Sequence, residues 1–319
     1  MNFTVSIVIP VKNEAAGIRA CLDSWTNQTI DVEEIVVIDS GSTDGTVEIC
    51  RAYPQVKLVE IPGEEFNHGT TRNRAMREVT GELTLMTVGD GMAYDRRVLE
   101  RMQRHFHDRE VAGVCGMQVV PHHRDKNPIQ WFRPQSIPVF QKVAFADPQA
   151  FDALPANQKL QAASWDDVIA MYRTNILRDH IPFKKITYGE DPVWAIDAIK
   201  AGHALIYDRA CRVYHYHLED KEITYKRSIT MNFLRHRLFG AVPQPSALSI
   251  RSFLSNVKTL SSLRELSFRD KFYWLRFTMA NQRAMRRACH DFRTALKQGD
   301  AAIDQLHQNC TGKTFKMAA

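Results

Sequence analysis

Four apolar runs frame the first third of the chain. Val5 to Ile9 is continuous and stops at Pro10; Ile35 to Ile38 and Val56 to Ile61 follow; and Leu83, Leu85, Met86 and Val88 lead into Gly89-Asp90-Gly91. Such short runs predict strands, the second and fourth reading as buried and the third carrying Lys57 and Glu60 within it. Between them the period shifts toward 3.6. Ile18, Cys21, Leu22 and Trp25 mark one helical face, Val47 and Cys50 a second, and Arg72 to Thr80 reads as a helix stopped by Gly81. Strand and helix in alternation predict an α/β fold, a mostly parallel sheet joined by right-handed crossovers.

Beyond the apolar segment Gly113 to Val120 the pattern weakens. Pro121 to Pro182 is interrupted by Pro128, Pro134, Pro138, Pro148 and Pro155, with Trp131, Phe132, Phe140, Phe145, Phe151 and Trp165 between them. A long irregular stretch inside a compact domain is typically a lid or binding loop, and this one is assigned to acceptor recognition. Regularity returns at Glu190-Asp191-Pro192, ahead of a helix from Val193 to Ala201. Ala204–Tyr207 reads as a short strand and Cys211–His217 as another, with Val213, His215 and His217 on one face. Helices are predicted at 221–240 and 269–298, the second striped by Phe272, Leu275, Met279, Met285, Cys289, Phe292 and Leu296. Met317-Ala318-Ala319 is expected to fray. The expected division is a domain over 1–220 and a helical appendage over 221–319.

Composition changes this picture in two places. The six cysteines form no Cys-x-x-Cys pair, so neither a disulfide framework nor a zinc site is indicated and a reducing cytosol is expected. No apolar run approaches the ~20 residues that span a bilayer, and no basic segment precedes the first strand as in a signal peptide. The net charge of +6 is unevenly spread: 221–319 holds 18 Lys and Arg against 6 Asp and Glu, a net +12, leaving −6 for 1–220. A basic appendage on an acidic domain predicts a polyanionic surface as partner. No nucleic-acid-binding motif is recognisable, which favours a membrane over nucleic acid.

The candidate chemistry sits where strands end. Val11-Lys12-Asn13-Glu14 and Asp39 to Gly45 follow the first two strands, the positions at which open α/β sheets hold nucleotides. Neither Gly-x-Gly-x-x-Gly nor a P-loop is present. Asp90 follows the fourth strand, Glu190-Asp191 opens a helix, and His215 and His217 share a late strand. Each has a plainer reading: Gly-Asp-Gly as a tight turn, Asp39, Asp44 and Asp191 as helix caps, the histidines as packed side chains. Together they suit a group-transfer site, though spacing alone does not name the group.

The order Val5-Ser6-Ile7-Val8-Ile9-Pro10 with Asn13-Glu14, then Ile38-Asp39-Ser40-Gly41-Ser42-Thr43-Asp44-Gly45-Thr46, Asp90, Glu190-Asp191 and His215 resembles the family 2 glycosyltransferases over about 1–220. Phe66-Asn67-His68-Gly69-Thr70-Thr71-Arg72-Asn73, Gly116-Met117-Gln118-Val119-Val120-Pro121 and Tyr214-His215-Tyr216-His217 resemble segments of the bacterial rhamnosyltransferases among them. The resemblance implies a GT-A fold, Rossmann-like and followed here by the helical appendage. It also implies inverting transfer from a nucleotide sugar, dTDP-L-rhamnose favoured, to a hydroxyl of a glycan or lipid-linked glycan in O-antigen or capsule synthesis.

By that resemblance Pro10, Val11, Glu14, Asp39, Ser40, Arg72 and Asp90 hold the donor. Asp90, His215 and His217 bind Mg²⁺ or Mn²⁺, Asp191 is the general base, and Glu190 orients its loop. His68, Gln118, Trp165 and Asp167 fall on the acceptor or donor side. The family's Asp-x-Asp lands on Val88-Gly89-Asp90, so its first acid is missing, and Ser40 stands where many relatives carry a second Asp. Alternatives are a UDP-hexose or UDP-N-acetylhexosamine donor, or a non-catalytic assembly subunit. Val11 to Glu14 is a poor match to the basic Gly-rich loop of a nucleotidyltransferase. The expected location is cytoplasmic, peripheral on the inner membrane through the basic helices, which could instead serve homo-oligomerisation.

Overall fold

The structure, a computed structural model, describes residues 3–131, 139–244 and 250–317. In chain order the elements are β1 (Val5–Val11), α1 (Ile18–Thr26), β2 (Val32–Asp39), α2 (Thr46–Arg51), β3 (Val56–Glu60), α3 (His68–Met76), β4 (Leu83–Met86) and β5 (Met92–Ala93). There follow α4 (Val98–Gln103), β6 (Val111–Val119), α5 (Pro128–Trp131), β7 (Phe140–Val143), α6 (Ala156–Ala162), β8 (Ala170–Arg173), α7 (Glu190–Lys200) and β9 (Ala204–Tyr214). The last four are α8 (Lys221–Phe239), α9 (Ile250–Ser262), α10 (Phe268–Gln298) and α11 (Asp300–Thr311). The chain divides into two compact units, one of Met1–Val119, Gln135–His215 and Lys316–Ala319, the other of Val120–Pro134 and Tyr216–Phe315.

The first unit is a sheet of order β3-β2-β1-β4-β8-β6-β9-β5, with β7 pairing β9. The alternation expected for its first half is present: β1 pairs in parallel with β2 and β4, and β2 with β3. Ile7, Val8, Ile9, Val36 and Val37 are fully buried, as a central strand with helices on both faces requires. Burying one such side chain contributes about 1.5–3 kcal/mol. The predicted α1 face packs inward through Ile18, Cys21, Leu22 and Trp25.

The irregular stretch Pro121–Pro182 is the largest departure. It contains β8, inserted antiparallel between β4 and β6, with Ala170, Met171 and Tyr172 fully buried. Four residues are too few for periodicity to reveal. Phe132, Pro134 and Pro138, read with that stretch, lie outside the described residues. The two short strands expected over 204–217 are one, β9, whose partner register shifts between Cys115 and Met117. The chain end is not loose at Met317, which bridges Ile186, while Thr187 N donates to Lys316 O at 3.0 Å; Ala318 and Ala319 lie outside the described residues.

The second unit is helical. α8, α10 and α11 share a core of Ile229, Phe233, Ala288, Phe292, Ala295 and Ile303. Val120, Trp131, Leu260, Leu263, Leu266 and Trp274 form another around α9 and the start of α10. A Ser267–Asp270 capping box starts the 31-residue α10. Its predicted stripe does not act as one face: Cys289 and Phe292 are buried, whereas Phe272 and Met285 are 53% and 42% exposed. The sequence pattern missed α9 and α11. No helix among the described residues is long and apolar enough to cross a membrane.

Candidate active site

Strand directions collect the polar residues on one edge. β8 runs against both β4 and β6, and β9 runs with β6, so the C-terminal ends of β1, β2, β4, β6 and β9 meet the start of β8. Pro10, Val11 and Glu14, Asp39 and Ser40, Asp90, Gln118, Trp165 and Asp167, and His215 all lie at that edge. This is where an open α/β sheet binds ligands, since the helices there present their N-termini and the loops are free to vary.

The first two loops are tied together. Ser40 N donates to Val11 O at 3.1 Å, Asn13 N to Ser42 Oγ and Thr43 N to Asn13 Oδ1 at 2.8 Å each. Asp39 Oδ2 accepts from the backbone of Gly41 and Ser42, both at 2.9 Å, so this buried carboxylate shapes the loop. Asp44 accepts from Thr46 N at 3.1 Å and from Ala15 N at 3.0 Å, closing α2 and the β1 loop at once. Burial, then the carboxylates of Asp90 and Asp44, push the Glu14 carboxyl above its usual range, and His215 offsets this in part.

Asp90 lies in a turn four residues beyond β4, with Gly91 N donating to Val88 O at 2.9 Å. Trp25 Nε1 donates to Gly91 O at 2.9 Å and so fixes the turn to α1. The flanking glycine serves packing: a Cβ on Gly89 would meet Glu14 Cγ at 2.9 Å and Val11 Cγ1 at 3.1 Å. Bare backbone here seats the β1 loop against the Asp90 turn.

Asp90 Oδ1 faces His215 Nε2 at 3.4 Å. His215 Nδ1 is engaged by Gln118 Oε1 at 2.8 Å, and Gln118 Nε2 donates to Asp166 Oδ2. The outer hydrogen bond aims Nε2 at Asp90, as in metal sites whose ligating imidazole is held by its other nitrogen. One carboxylate and one imidazole suit a divalent ion such as Mn²⁺ or Mg²⁺, so this donor pair fits the expected metal. His217, two residues further on, belongs to the second unit.

Arg72 is the hub of the neighbouring group. Its side chain is 8% exposed and pairs with Glu190, and its Nε lies 3.4 Å from Asp167 Oδ2. Tyr172 Oη donates to Asp167, and Trp165 Nε1 donates to Tyr172 Oη at 2.7 Å. Asp191 accepts from Asp167 N at 3.4 Å and keeps part of its surface open. Arg72 is thus a buried residue of α3 held among carboxylates. Three carboxylates, Asp167, Glu190 and Asp191, act on one guanidinium. Burial lowers the Arg72 pKa, but Asp167, Glu190 and Asp191 more than offset it and hold it above its usual value.

Burial, with the charges of Glu190, Asp167 and Asp166, pushes the Asp191 carboxyl well above the carboxylate range; Arg72 pulls it back in part. Asp167 is also raised, chiefly by burial, against Arg72. A partly open carboxyl with an elevated pKa can accept a proton near neutral pH. Asp191 is not the cap of α7, whose cap position is Gly189; it stands with Glu190 in the first turn.

The 66–73 segment explains how this group is assembled. Asn67 caps α3 by accepting from Thr70 N at 3.1 Å, so the helix begins four residues before the expected Arg72. Asn67 Nδ2 donates to Ile186 O at 2.6 Å and Asn73 Nδ2 to Phe183 O at 2.7 Å, and Phe183 N returns a bond to Asn73 Oδ1 at 3.0 Å. A Cβ on Gly69 would collide with Lys184 O and lie 3.2 Å from Phe183 Cβ. These contacts clamp 183–186, and hence the start of α7, to the helix that carries Arg72. His68 packs edge-on against Phe66, ring centroids 4.9 Å apart.

Asp166 and Tyr172 are the residues the sequence reading missed. The doublet Asp166-Asp167 ahead of Val168-Ile169-Ala170-Met171 was the available signal: paired acids before an apolar run, as at Asp39 and Asp90 but in reverse direction.

The profile of the glycosyl transferase family 2 matches residues 6–179. The O-antigen chain rhamnosyltransferase RfbN of Salmonella typhimurium is 26% identical over 215 residues, 67% of this chain and 66% of the relative. The O-antigen chain rhamnosyltransferase WbaN of Salmonella anatum is 32% identical over 126 residues, 39% of each. The chain thus spans less than two thirds of these relatives' lengths. Among solved structures, the mannosyltransferase PcManGT of Pyrobaculum calidifontis, in complex with GDP-Man and Mn²⁺, superimposes with a TM-score of 0.56 at 18% identity, covering 97% of this chain and 80% of that one. S. aureus TarS 1-349 with UDP-GlcNAc gives 0.53 at 15% identity, over 91% and 92%. The fold is GT-A, as these neighbours share it.

Proposed function

The chain belongs to glycosyl transferase family 2, and from that premise we propose that it transfers a sugar, with inversion, from a nucleotide-sugar donor to a hydroxyl of a glycan or lipid-linked glycan in bacterial surface polysaccharide synthesis. The donor is dTDP-L-rhamnose, a choice that leans on the two rhamnosyltransferase relatives. The observation that supports the reading is the polar edge carrying the Asp90–His215 pair, together with an Asp191 carboxyl raised above the carboxylate range by burial and its acidic neighbours.

The loops after β1 and β2, with Pro10, Val11, Glu14, Asp39 and Ser40, take the nucleoside. Asp90 and His215 would hold a divalent ion, which would supply positive charge against the departing diphosphate. Asp191 accepts the proton of the acceptor hydroxyl as its oxygen attacks the anomeric carbon from the face opposite the nucleotide. The bond from that carbon to the diphosphate oxygen breaks, and the electron pair leaves with the nucleoside diphosphate. Arg72 and Glu190 set the place and charge of Asp191, while Gln118 orients His215. His68 borders the sugar, while Trp165 and Asp167, both buried, hold Tyr172.

Thermal shift with dTDP-L-rhamnose, UDP-glucose, UDP-N-acetylglucosamine and GDP-mannose, each with Mn²⁺, tests the donor. At a hundredfold excess over Kd the right donor adds about 2.7 kcal/mol, or roughly 5–10 °C. The rhamnose donor is expected to give the largest shift. A larger shift from a UDP-sugar moves the chain to that donor, and no shift from any nucleotide sugar refutes the reading.

The helical unit docks on an anionic membrane surface. Ile250, Leu254, Phe268 and Phe272 are 79%, 58%, 84% and 53% exposed on α9 and α10, interspersed with Arg251, Lys258, Arg269, Lys271 and Arg276. Each basic residue near such a leaflet contributes on the order of 1 kcal/mol. Flotation with phosphatidylglycerol vesicles, weakened by salt and absent with phosphatidylcholine, is expected; equal flotation with both contradicts docking by charge.

A further inference from the structure

The second unit contains a hollow that the transfer reaction does not use. Ala280 and Ala284, one turn apart on α10, line it with little bulk, together with residues of α8 and with Asn309 and Cys310 of α11. The resulting cleft has a volume of about 600 Å³, within the range of small-molecule sites.

Its charge is one-sided. Lys221 and Lys226 come from α8 and Arg283 and Arg287 from α10, against a single acid, Glu222. Two cations are already engaged: Lys221 lies 3.3 Å from Glu222, and Arg287 sits 5.2 Å over the Tyr225 ring with its Nε 3.5 Å from Asp291. Tyr225 Oη donates to Asp291 Oδ2 at 2.8 Å, which holds the ring in place as a wall. Among the described residues neither Lys226 nor Arg283 has an ion-pair partner, and both are exposed. Two cations without an ion-pair partner among the described residues thus line one cleft together with alanine methyls, a tyrosine ring and a thiol.

We propose that this cleft binds a diphosphate group, carried on a small amphiphile whose chain lies over Ala280, Ala284 and the Tyr225 ring. Two cations lining one cleft match the multiple charges of a diphosphate better than a single carboxylate, and the apolar lining gives the attached chain a surface that a free inorganic anion would not need. The site is independent of the donor and metal readings, because none of its residues lies at the sheet edge.

Isothermal titration of the full-length protein in EDTA, with inorganic pyrophosphate in one arm and farnesyl diphosphate below its micelle concentration in the other, tests it. Farnesyl diphosphate is expected to bind more tightly than pyrophosphate. Pyrophosphate binding as tight as farnesyl diphosphate would assign the cleft to a free anion and overturn the amphiphile. Lys226→Ser with Arg283→Ser should weaken binding by at least about tenfold, the scale of losing one charge-assisted contact, with the melting temperature unchanged. Ala284→Met, which adds bulk to the apolar lining, should weaken farnesyl diphosphate more than pyrophosphate. Asp90→Ala should leave both isotherms as they are, separating this site from the sheet edge. Binding that survives the double substitution, or is lost in Asp90→Ala, places the ligand elsewhere and overturns the proposal.

Discussion

Replacing Arg72 with methionine removes the guanidinium that faces Asp167, Glu190 and Asp191 while roughly keeping the volume of the side chain. The Arg72 Nε to Asp167 Oδ2 separation of 3.4 Å corresponds to roughly 5 kcal/mol of attraction at an effective dielectric near 20, before the cost of desolvation. The Arg72, Asp167 and Glu190 side chains are only 8%, 3% and 5% exposed, so water screens little of it. Breaking a buried pair of this kind costs about 3–5 kcal/mol. For a domain of this size that lowers the melting temperature by roughly 6–20 °C.

The loss has a defined pH dependence. Asp167 and Asp191 have folded pKa values raised above the unfolded ~3.9, so between those values the native state holds more protons and stability falls as pH rises. Arg72 lowers both groups; without it their folded pKa values climb further and the falling limb extends upward. The gap between wild type and Arg72→Met should therefore be small at pH 5 and largest at pH 8–8.5. Differential scanning fluorimetry across that range measures it. A gap that is the same at both ends, or smaller than about 3 °C throughout, would refute the pairing of Arg72 with ionised buried carboxylates.

Gly69→Ala should cost about 1–3 kcal/mol through its collision with Lys184 O and lower kcat more than it raises donor KM, because the clamp positions α7; unaltered thermal stability and kcat would show that the clamp yields freely. Asp90→Ala should abolish the Mn²⁺-dependent part of nucleoside diphosphate affinity, read by titration with and without EDTA, and a loss equal in both conditions would contradict a metal at Asp90. The pH profile of kcat/KM should rise through an inflection above the ordinary carboxylate range, since an Asp191 proposed as the base would have to be ionised and its burial raises its pKa; a profile flat down to pH 5 would contradict that.

The half of the fold built from continuous apolar runs was legible because β1 and β2 are buried on both faces and read as unbroken hydrophobic strings. β8 was not, because its four residues carry Tyr172 and Arg173 and sit in a proline-interrupted stretch whose pairing is entirely long-range. β9 read as two strands because Asp208 and Arg209 break its apolar pattern; Asp208 is nonetheless buried, 2.7 Å from His105 Nε2. In the site, the order of the motif residues identified the edge, since each follows or precedes a strand. The partner of Arg72 was hidden: Glu190 lies 118 positions away, and long-range contacts such as those of Asn67 and Asn73 with 183–186 bring them together. Asp166 was missed for the same reason, as its contact with Gln118 exists only once β8 lies beside β6. The stripe on α10 misled because a 31-residue helix can bury different parts of one face against different neighbours.

The central claim, that Asp191 is the base of a sugar transfer from a nucleotide donor, is tested most directly by single-turnover transfer with Asp191→Asn beside its donor affinity. The expected result is a transfer rate lower by about 10²–10⁴-fold, with the donor dissociation constant within a factor of about two of wild type. Transfer at near wild-type rate, or a loss accounted for wholly by weaker donor binding, would remove Asp191 from that role.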